Sequence, residues 1–266
     1  MDQAVILETI GLIKTFGGLA ANQGIDLKVP ARTFRSVIGP NGAGKTTLFN
    51  LISGAYRPTS GRVVFKGEDI TGLAPHLIAR RGMGRSFQIT NIFAGLTVLE
   101  NVRLAAQAKG HEGYKLWRHS DDLAVFRERA EANLELVGLA ERRFVAAGNL
   151  AHGEKRKLEL AIMLAGEPEL LLLDEPTAGM SREEVPGILA VIERIRAQGN
   201  RTILMVEHKM DIVMGLSDSI TVLQNGRVLA EGSPAEIAAD ERVQEAYLGG
   251  SYGFTRKEGG AQHGLA

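Results

Sequence analysis

Apolar and polar positions change rhythm several times along the chain. The stretches "VILETI" (5–10) and "GIDLKV" (24–29) read as strands, the second alternating apolar and polar residues. "RSVIGPNGAGKTTLFNLISG" (35–54) reads as a strand, a glycine loop and a helix beginning near Gly44. "PTSG" (58–61) marks a turn, and "RVVFKGEDI" after it alternates as one strand. Between about residues 90 and 165 the period becomes helical, in "VLENVRLAAQA", "LAVFRERAEANLELVG" and "EKRKLELAIMLAG". "LLLLDE" (170–175) and "TILMVE" (202–207) are short apolar runs with no polar face, as expected of central strands covered by helices on both sides. "SITVLQNGRVLAEG" (219–232) carries Asn-Gly between two alternating runs, a hairpin signal. The pattern predicts an α/β fold with a helical insertion, without tandem repeats or an obvious linker. The glycine-rich tail from Gly249 is expected to be mobile.

Size and charge narrow the classes. The 266 residues suit one large domain, and 44% hydrophobic content allows a sizeable core. Lys+Arg and Asp+Glu are both 31, so no global basic field draws the chain to nucleic acid. The absence of cysteine excludes disulfides and thiolate metal sites, and fits a reducing compartment. Asp2 stands where a secretory leader needs basic residues, so no leader is expected. No apolar run approaches the roughly 18–20 residues that span a bilayer. Any membrane role is expected to run through a membrane partner.

Two stretches carry chemistry. "GPNGAGKTT" matches G-x-x-x-x-G-K-[ST], with Gly39, Gly44, Lys45 and Thr46 in the fixed positions. The glycines let backbone amides face phosphates, the helix start adds its dipole, Lys45 reaches the β/γ-phosphates, and the Thr46 hydroxyl ligates Mg²⁺. "LLLLDE" places Asp174 and Glu175 at the carboxyl edge of a buried strand, where α/β sheets bind ligands. Asp174 is expected to hold Mg²⁺ through water, and Glu175 to orient and deprotonate the attacking water. Three residues stay open on this reading. His208 is either structural or a donor to the γ-phosphate, Gln88 is either a surface residue or part of the site, and Phe16 is either core or an adenine platform. A further oddity is "AHGEKRKLEL" (151–160), a helix start bearing Lys155, Arg156 and Lys157. Helix N-termini ordinarily favour acids, so an anion is expected to dock there.

Taken together and in this order, the P-loop, Gln88, the elbow at 150–154, "LLLLDE" and His208 resemble the ATP-binding-cassette nucleotide-binding domains. The resemblance runs from about residue 4 to 250. It is strongest to LivG-type ATPase subunits of branched-chain (hydrophobic) amino acid uptake systems, through "GRSFQITNIFAGLTVLENV", "LAHGEKRKLELA", "VEHKMDIVMGLSDSITVLQNGRVLAEGSPAEI" and "EAYLGG". It implies an α/β P-loop NTPase fold with a mainly parallel core sheet. The RecA-like core and an antiparallel β part are expected at 4–89 and 166–250, a helical subdomain at about 90–165, and a flexible tail at 251–266.

The resemblance also implies that ATP is held by Phe16, stacking on adenine, and by Gly39, Pro40, Asn41, Gly42, Ala43, Gly44, Lys45, Thr46 and Thr47. Thr46, Gln88 and Asp174 would serve Mg²⁺, with Glu175, His208, Gln88 and Lys45 catalytic. The segment Ala151, His152, Gly153 and Glu154 would bind the γ-phosphate of ATP on a second ATPase subunit, identical or a sister chain. Further implied partners are two membrane permease subunits and, indirectly, an extracytoplasmic solute-binding protein. Nucleic acid is not among them. The implied location is peripheral, at the cytoplasmic face of the inner or plasma membrane.

Two residues depart from the family pattern. Ala151 stands where serine is usual, which removes a hydroxyl donor and leaves His152 as a substitute. Ser181 stands where Asp or Asn is usual after the Walker B acid. Both departures bear on the site shared with the partner. They motivate a non-hydrolysing regulatory partner as one alternative. A soluble cassette acting on DNA or ribosomes is another, opposed by the neutral charge and the lack of long coiled coils or a second cassette. Related uptake systems carry urea, amides or aromatic acids, so the cargo stays open at this point.

Overall fold

The computed structural model describes residues 4–86, 92–108 and 120–248. The mobile-tail expectation from Gly249 and the expectation for Gln88 lie outside the described residues. Two runs of apolar residues make the centre. Strands β7 (Leu170–Asp174) and β8 (Thr202–Val206) are buried at every position. They pair in parallel, and β8 in turn pairs in parallel with β3 (Phe34–Ile38). Their side chains alternate between two cores, as the strand period requires. Leu171, Leu173, Ile203 and Met205 join the helical side, while Leu170, Leu172, Leu204 and Val206 join the other. Both faces are covered, so neither strand has a polar one.

The six-stranded sheet runs β10-β9-β3-β8-β7-β6, with β6 (Met83–Arg85), β9 (Ser219–Gln224) and β10 (Arg227–Gly232). All its pairings are parallel except the edge hairpin β9–β10. That hairpin turns at Asn225 and Gly226, both at positive φ, as the Asn-Gly signal predicts. A separate antiparallel sheet is ordered β2-β1-β4-β5, from β1 (Val5–Phe16), β2 (Leu19–Pro30), β4 (Ser60–Phe65) and β5 (Glu68–Asp69). Here the structure corrects one expectation. "RVVFKGEDI" is not one strand, because Lys66 (φ 53°) and Gly67 (φ 80°) fold it into a hairpin between β4 and β5. Positive φ at two successive residues is the demand of a two-residue hairpin turn, which outweighs the alternating pattern.

Helix α1 (Lys45–Ile52) is wedged between the two sheets, with Leu48, Phe49, Leu51 and Ile52 buried in their shared core. The short α2 (Pro75–Arg80) leads into β6. Between β6 and β7 run α3 (Val98–Ala108), α4 (Ser120–Val137) and α5 (His152–Ala165), which share one core with α6 (Val185–Ala197). Helices α7 (Met210–Leu216), α8 (Pro234–Ala239) and α9 (Glu241–Leu248) close the far edge around Val213, Ile237 and Val243. The consequence for function is geometric. The carboxyl ends of β3, β8 and β7, adjacent in that order, deliver the glycine loop, His208 and the Asp174–Glu175 pair to one rim.

Candidate nucleotide site

The glycine loop is set by sterics before any ligand arrives. Gly44, at φ 97°, caps α1, and a Cβ there would lie 2.4 Å from the carbonyl oxygen of Ala21. At Gly39 a Cβ would meet the Leu223 carbonyl oxygen at 2.2 Å. Only glycine fits these two approaches. Strand β2 holds the loop from one side, where the buried Asn22 donates through Nδ2 to the Gly44 carbonyl at 3.2 Å. The β9–β10 turn holds it from another, with the Gly226 amide donating to the Ala43 carbonyl at 3.2 Å.

Lys45 is buried, and its ammonium donates to the carbonyls of Gly39 (2.8 Å) and Pro40 (3.0 Å). Burial pushes its pKa below the usual lysine range, while nearby Glu175 and Asp174 act against that shift. The loop lines a cleft of about 370 Å³, together with Phe16, Leu19, Glu175 and His208. Phe16 is not a core residue: it is 44% exposed and meets Tyr56 edge-on, with Lys14 Nζ 5.0 Å from its ring centre.

Glu175 occupies the left-handed region (φ 48°), an uncommon conformation for a residue with a side chain, and such outliers cluster at working sites. Its Oε1 and His208 Nε2 are hydrogen-bonded at 2.9 Å, both side chains half-buried. Behind them lies a residue given no role from sequence. Glu207, itself buried, accepts from the His208 amide (3.0 Å) and from the Thr177 hydroxyl (2.9 Å), so it orients the segment that presents His208. The signal was present in "TILMVE", but an acid ending an apolar strand reads as solvated until its partners are seen.

Asp174 is buried, and burial raises its carboxyl above the usual range, opposed by Arg85 and Lys45. Its Oδ2 pairs with Arg85 Nη2 at 3.2 Å, and its Oδ1 has no partner. Arg85 was also missed, because β6 is three residues long and shows no alternation.

The segment Ala151–Glu154 does not line this cleft. It forms the N-terminus of α5, where acids of this chain hold the amides. Glu154 accepts from Ala151 N (3.0 Å) and pairs with Arg142, while Glu184 Oε1 accepts from Gly153 N at 2.9 Å. The second Glu184 oxygen accepts from Ser181 N at 3.0 Å. These two backbone donors, Ser181 first, hold the Glu184 carboxyl below its usual range. Arg156, one of the cations at this helix start, pairs with Glu159 one turn on.

Comparison with known proteins agrees with this geometry. Residues 22–178 match the family model of the ABC transporter, and residues 227–253 match that of the branched-chain amino acid ATP-binding cassette transporter. The chain is 41% identical over 251 residues to the high-affinity branched-chain amino acid transport ATP-binding protein BraF of Pseudomonas aeruginosa, covering 92% of this chain and 98% of that one. It is 40% identical to LivG of Salmonella typhimurium, with the same coverage, and 38% identical to a probable LivG of Archaeoglobus fulgidus over 92% and 95%. Among solved structures, the ADP conformation of an ATP-binding cassette of an ABC transporter superposes with a TM-score of 0.80 at 31% identity, covering 93% of this chain and all of that one. With the P-loop seated at the carboxyl rim of the parallel sheet and these matches spanning nearly its whole length, the chain belongs to the ABC transporter family as an ATP-binding cassette.

Proposed function

We propose that this chain is the ATP-hydrolysing subunit of an importer for branched-chain or other hydrophobic amino acids, working as one of two ATPase subunits beneath membrane permeases. One observation carries the reading: a carboxylate–imidazole pair, Glu175 and His208, lines the same cleft as a glycine loop that ends in Lys45 and Thr46. The relatives named as branched-chain amino acid transport ATP-binding proteins support the cargo class.

The residues present fit Mg²⁺ bound with the nucleotide. Mg²⁺ takes oxygen donors and is ordinarily held by one or two side chains plus substrate phosphates. Asp174 offers a buried, unpartnered Oδ1, Thr46 offers a hydroxyl in the cleft, and no cluster of three or more acids or histidines exists among the described residues to trap the ion alone. When bound, the ion would neutralise charge on the β- and γ-phosphate oxygens.

The chain's own residues do the rest. Phe16 offers its exposed ring to the adenine. The loop amides and Lys45 meet the phosphates once the ammonium leaves the carbonyls of Gly39 and Pro40. Turning His208 toward the γ-phosphate frees Glu175 Oε1 to accept a proton from the attacking water, for which general-base assistance contributes about 10²–10⁴-fold. Gln88 is assigned a sensing role near the ion on resemblance alone. Gly153 sits off this cleft, which supports its assignment, with Ala151 and His152, to the nucleotide of a neighbouring subunit.

An apolar groove of about 280 Å³ opens between the α1–α2–β6 region and α5, walled by Ile78, Met83, Ile162 and Met163, and it reaches Ser86. Phe93 and Leu96 beyond it are exposed. These surfaces suit a helix of a permease subunit. No described helix is long and apolar enough to cross a membrane. The relatives' names as transport ATP-binding proteins support a place against the permeases, at the cytoplasmic face.

The test is phosphate release and amino acid uptake by the chain reconstituted with its permeases. Lys45→Ala is expected to abolish both. Full activity in that variant overturns the reading.

A further inference from the structure

We propose that Arg85 is a positioning residue that sets the Asp174 carboxylate against helix α1, and through it the metal-dependent part of nucleotide binding. The proposal rests on the Mg²⁺–ATP reading above. Two consecutive residues at the end of β6 hold Asp174. Ser86 Oγ accepts from the Asp174 backbone amide at 3.1 Å, and Arg85 Nη2 grips side-chain Oδ2 at 3.2 Å. The other arm of the same guanidinium is engaged elsewhere: Nη1 donates to Ser53 Oγ at 2.5 Å and to the Phe49 carbonyl at 3.4 Å.

Phe49 lies in the last turn of α1 and Ser53 is its C-terminal cap, while Lys45 and Thr46 form its first turn. One rigid fork therefore spans the helix that carries the Thr46 hydroxyl and the strand that carries the Asp174 carboxylate. The strand β6 that bears it pairs with β7, so the fork is anchored to the same sheet.

The geometry is more specific than a charge in need of a partner. A guanidinium beside a carboxylate commonly takes both oxygens in parallel. Here it takes one, and Oδ1 is left buried and unpartnered. Compensation of charge alone would not demand the fork, because Lys45 is also close enough to act on Asp174. The arrangement fixes the carboxylate through one oxygen and reserves the other. A lysine would keep the charge but, as a single point donor, could not span Asp174 and the end of α1 together.

The test measures affinity for a non-hydrolysable ATP analogue in Mg²⁺ and in EDTA, on the full-length chain and on Arg85→Lys and Ser53→Ala. In the natural chain Mg²⁺ tightens binding. Arg85→Lys is expected to lose about tenfold of that gain, the lower end for removing an outer-sphere partner of a ligand, while affinity in EDTA is unchanged. Ser53→Ala, which removes only the second anchor, should lose less, in the same direction. Full retention of the Mg²⁺ gain in Arg85→Lys overturns the proposal, as does an equal loss with and without Mg²⁺, which marks a merely structural pair. If Arg85→Lys fails to fold, Ser53→Ala decides: an unchanged Mg²⁺ gain there refutes the clamp. If the natural chain shows no Mg²⁺ gain, the metal reading falls and the clamp falls with it, an outcome distinct from failure of the clamp alone.

Discussion

Gly44 and Gly153 sit at the starts of two helices, α1 and α5, and their surroundings differ. Around Gly44 everything is backbone: a Cβ would strike the Ala21 carbonyl at 2.4 Å, and the residue is held at φ 97°. Around Gly153 the nearest obstacle is the far end of a side chain, Glu184 Oε1 at 3.1 Å from such a Cβ. The first helix start is built into the fold and opens on its own cleft. The second is occupied by a side-chain carboxylate of the same chain. An internal carboxylate on a helix N-terminal amide occupies the kind of position where phosphate oxygens also bind. The difference teaches that the first helix start opens on a cleft of its own chain, while the second is satisfied by an acid of the same chain; under the proposed function that second start is the one a neighbour's nucleotide would reach.

The largest expected effect is at the cleft. Glu175→Gln should lower hydrolysis by about 10²–10⁴, with ATP binding preserved, as read by phosphate release and by titration with ATP. Unchanged hydrolysis would remove Glu175 as the base.

The comparison sharpens when one substitution is made in both places. Gly44→Ala is expected to cost about 1–3 kcal/mol of stability from backbone strain, and to abolish nucleotide binding by the isolated chain. Gly153→Ala should leave melting and nucleotide binding of the isolated chain nearly unaltered, since only a flexible carboxylate must shift. Its loss should appear as turnover in the assembled transporter. Equal damage from both in the isolated chain would erase the distinction.

A smaller effect is expected at Glu184. Glu184→Gln weakens the internal acceptor on Gly153, so the assembled ATPase should show a KM for ATP lowered about fivefold, the roughly 1 kcal/mol by which a hydrogen bond to a charged group exceeds one to a neutral group. A raised KM would mean that Glu184 supports the shared site rather than competing for it. The smallest is a control outside both regions. Ser233 caps α8 by accepting from the Glu236 amide, and Ser233→Ala should cost about 1 kcal/mol in melting experiments without touching hydrolysis.

The glycine loop was legible because its chemistry is local: spacing, a preceding strand and a following helix all lie within "RSVIGPNGAGKTTLFNLISG". The same holds for "LLLLDE" and for the Asn-Gly hairpin. What stayed hidden depends on partners far along the chain. Arg85 meets Asp174 across 89 residues, and Glu184 meets Gly153 across 31. Glu207 reads as a solvated strand end until Thr177 is placed beside it, 30 residues away in the chain. "RVVFKGEDI" misled for the opposite reason: its alternation survives the turn at Lys66 and Gly67, so periodicity alone spans two strands. Ala151 and His152 were given a role from resemblance, toward a ligand on another molecule, and a single chain does not test it.

The central claim is that Gly153 trades the Glu184 carboxylate for the γ-phosphate of a neighbouring subunit's nucleotide. The most direct measurement is the structure of the assembled transporter carrying Glu175→Gln, with ATP and Mg²⁺. The account predicts a γ-phosphate oxygen within hydrogen-bonding distance of the Gly153 amide, bound on the neighbour's glycine loop, and Glu184 displaced. A closed assembly with nucleotide in place and the Gly153 amide still donating to Glu184 would contradict it.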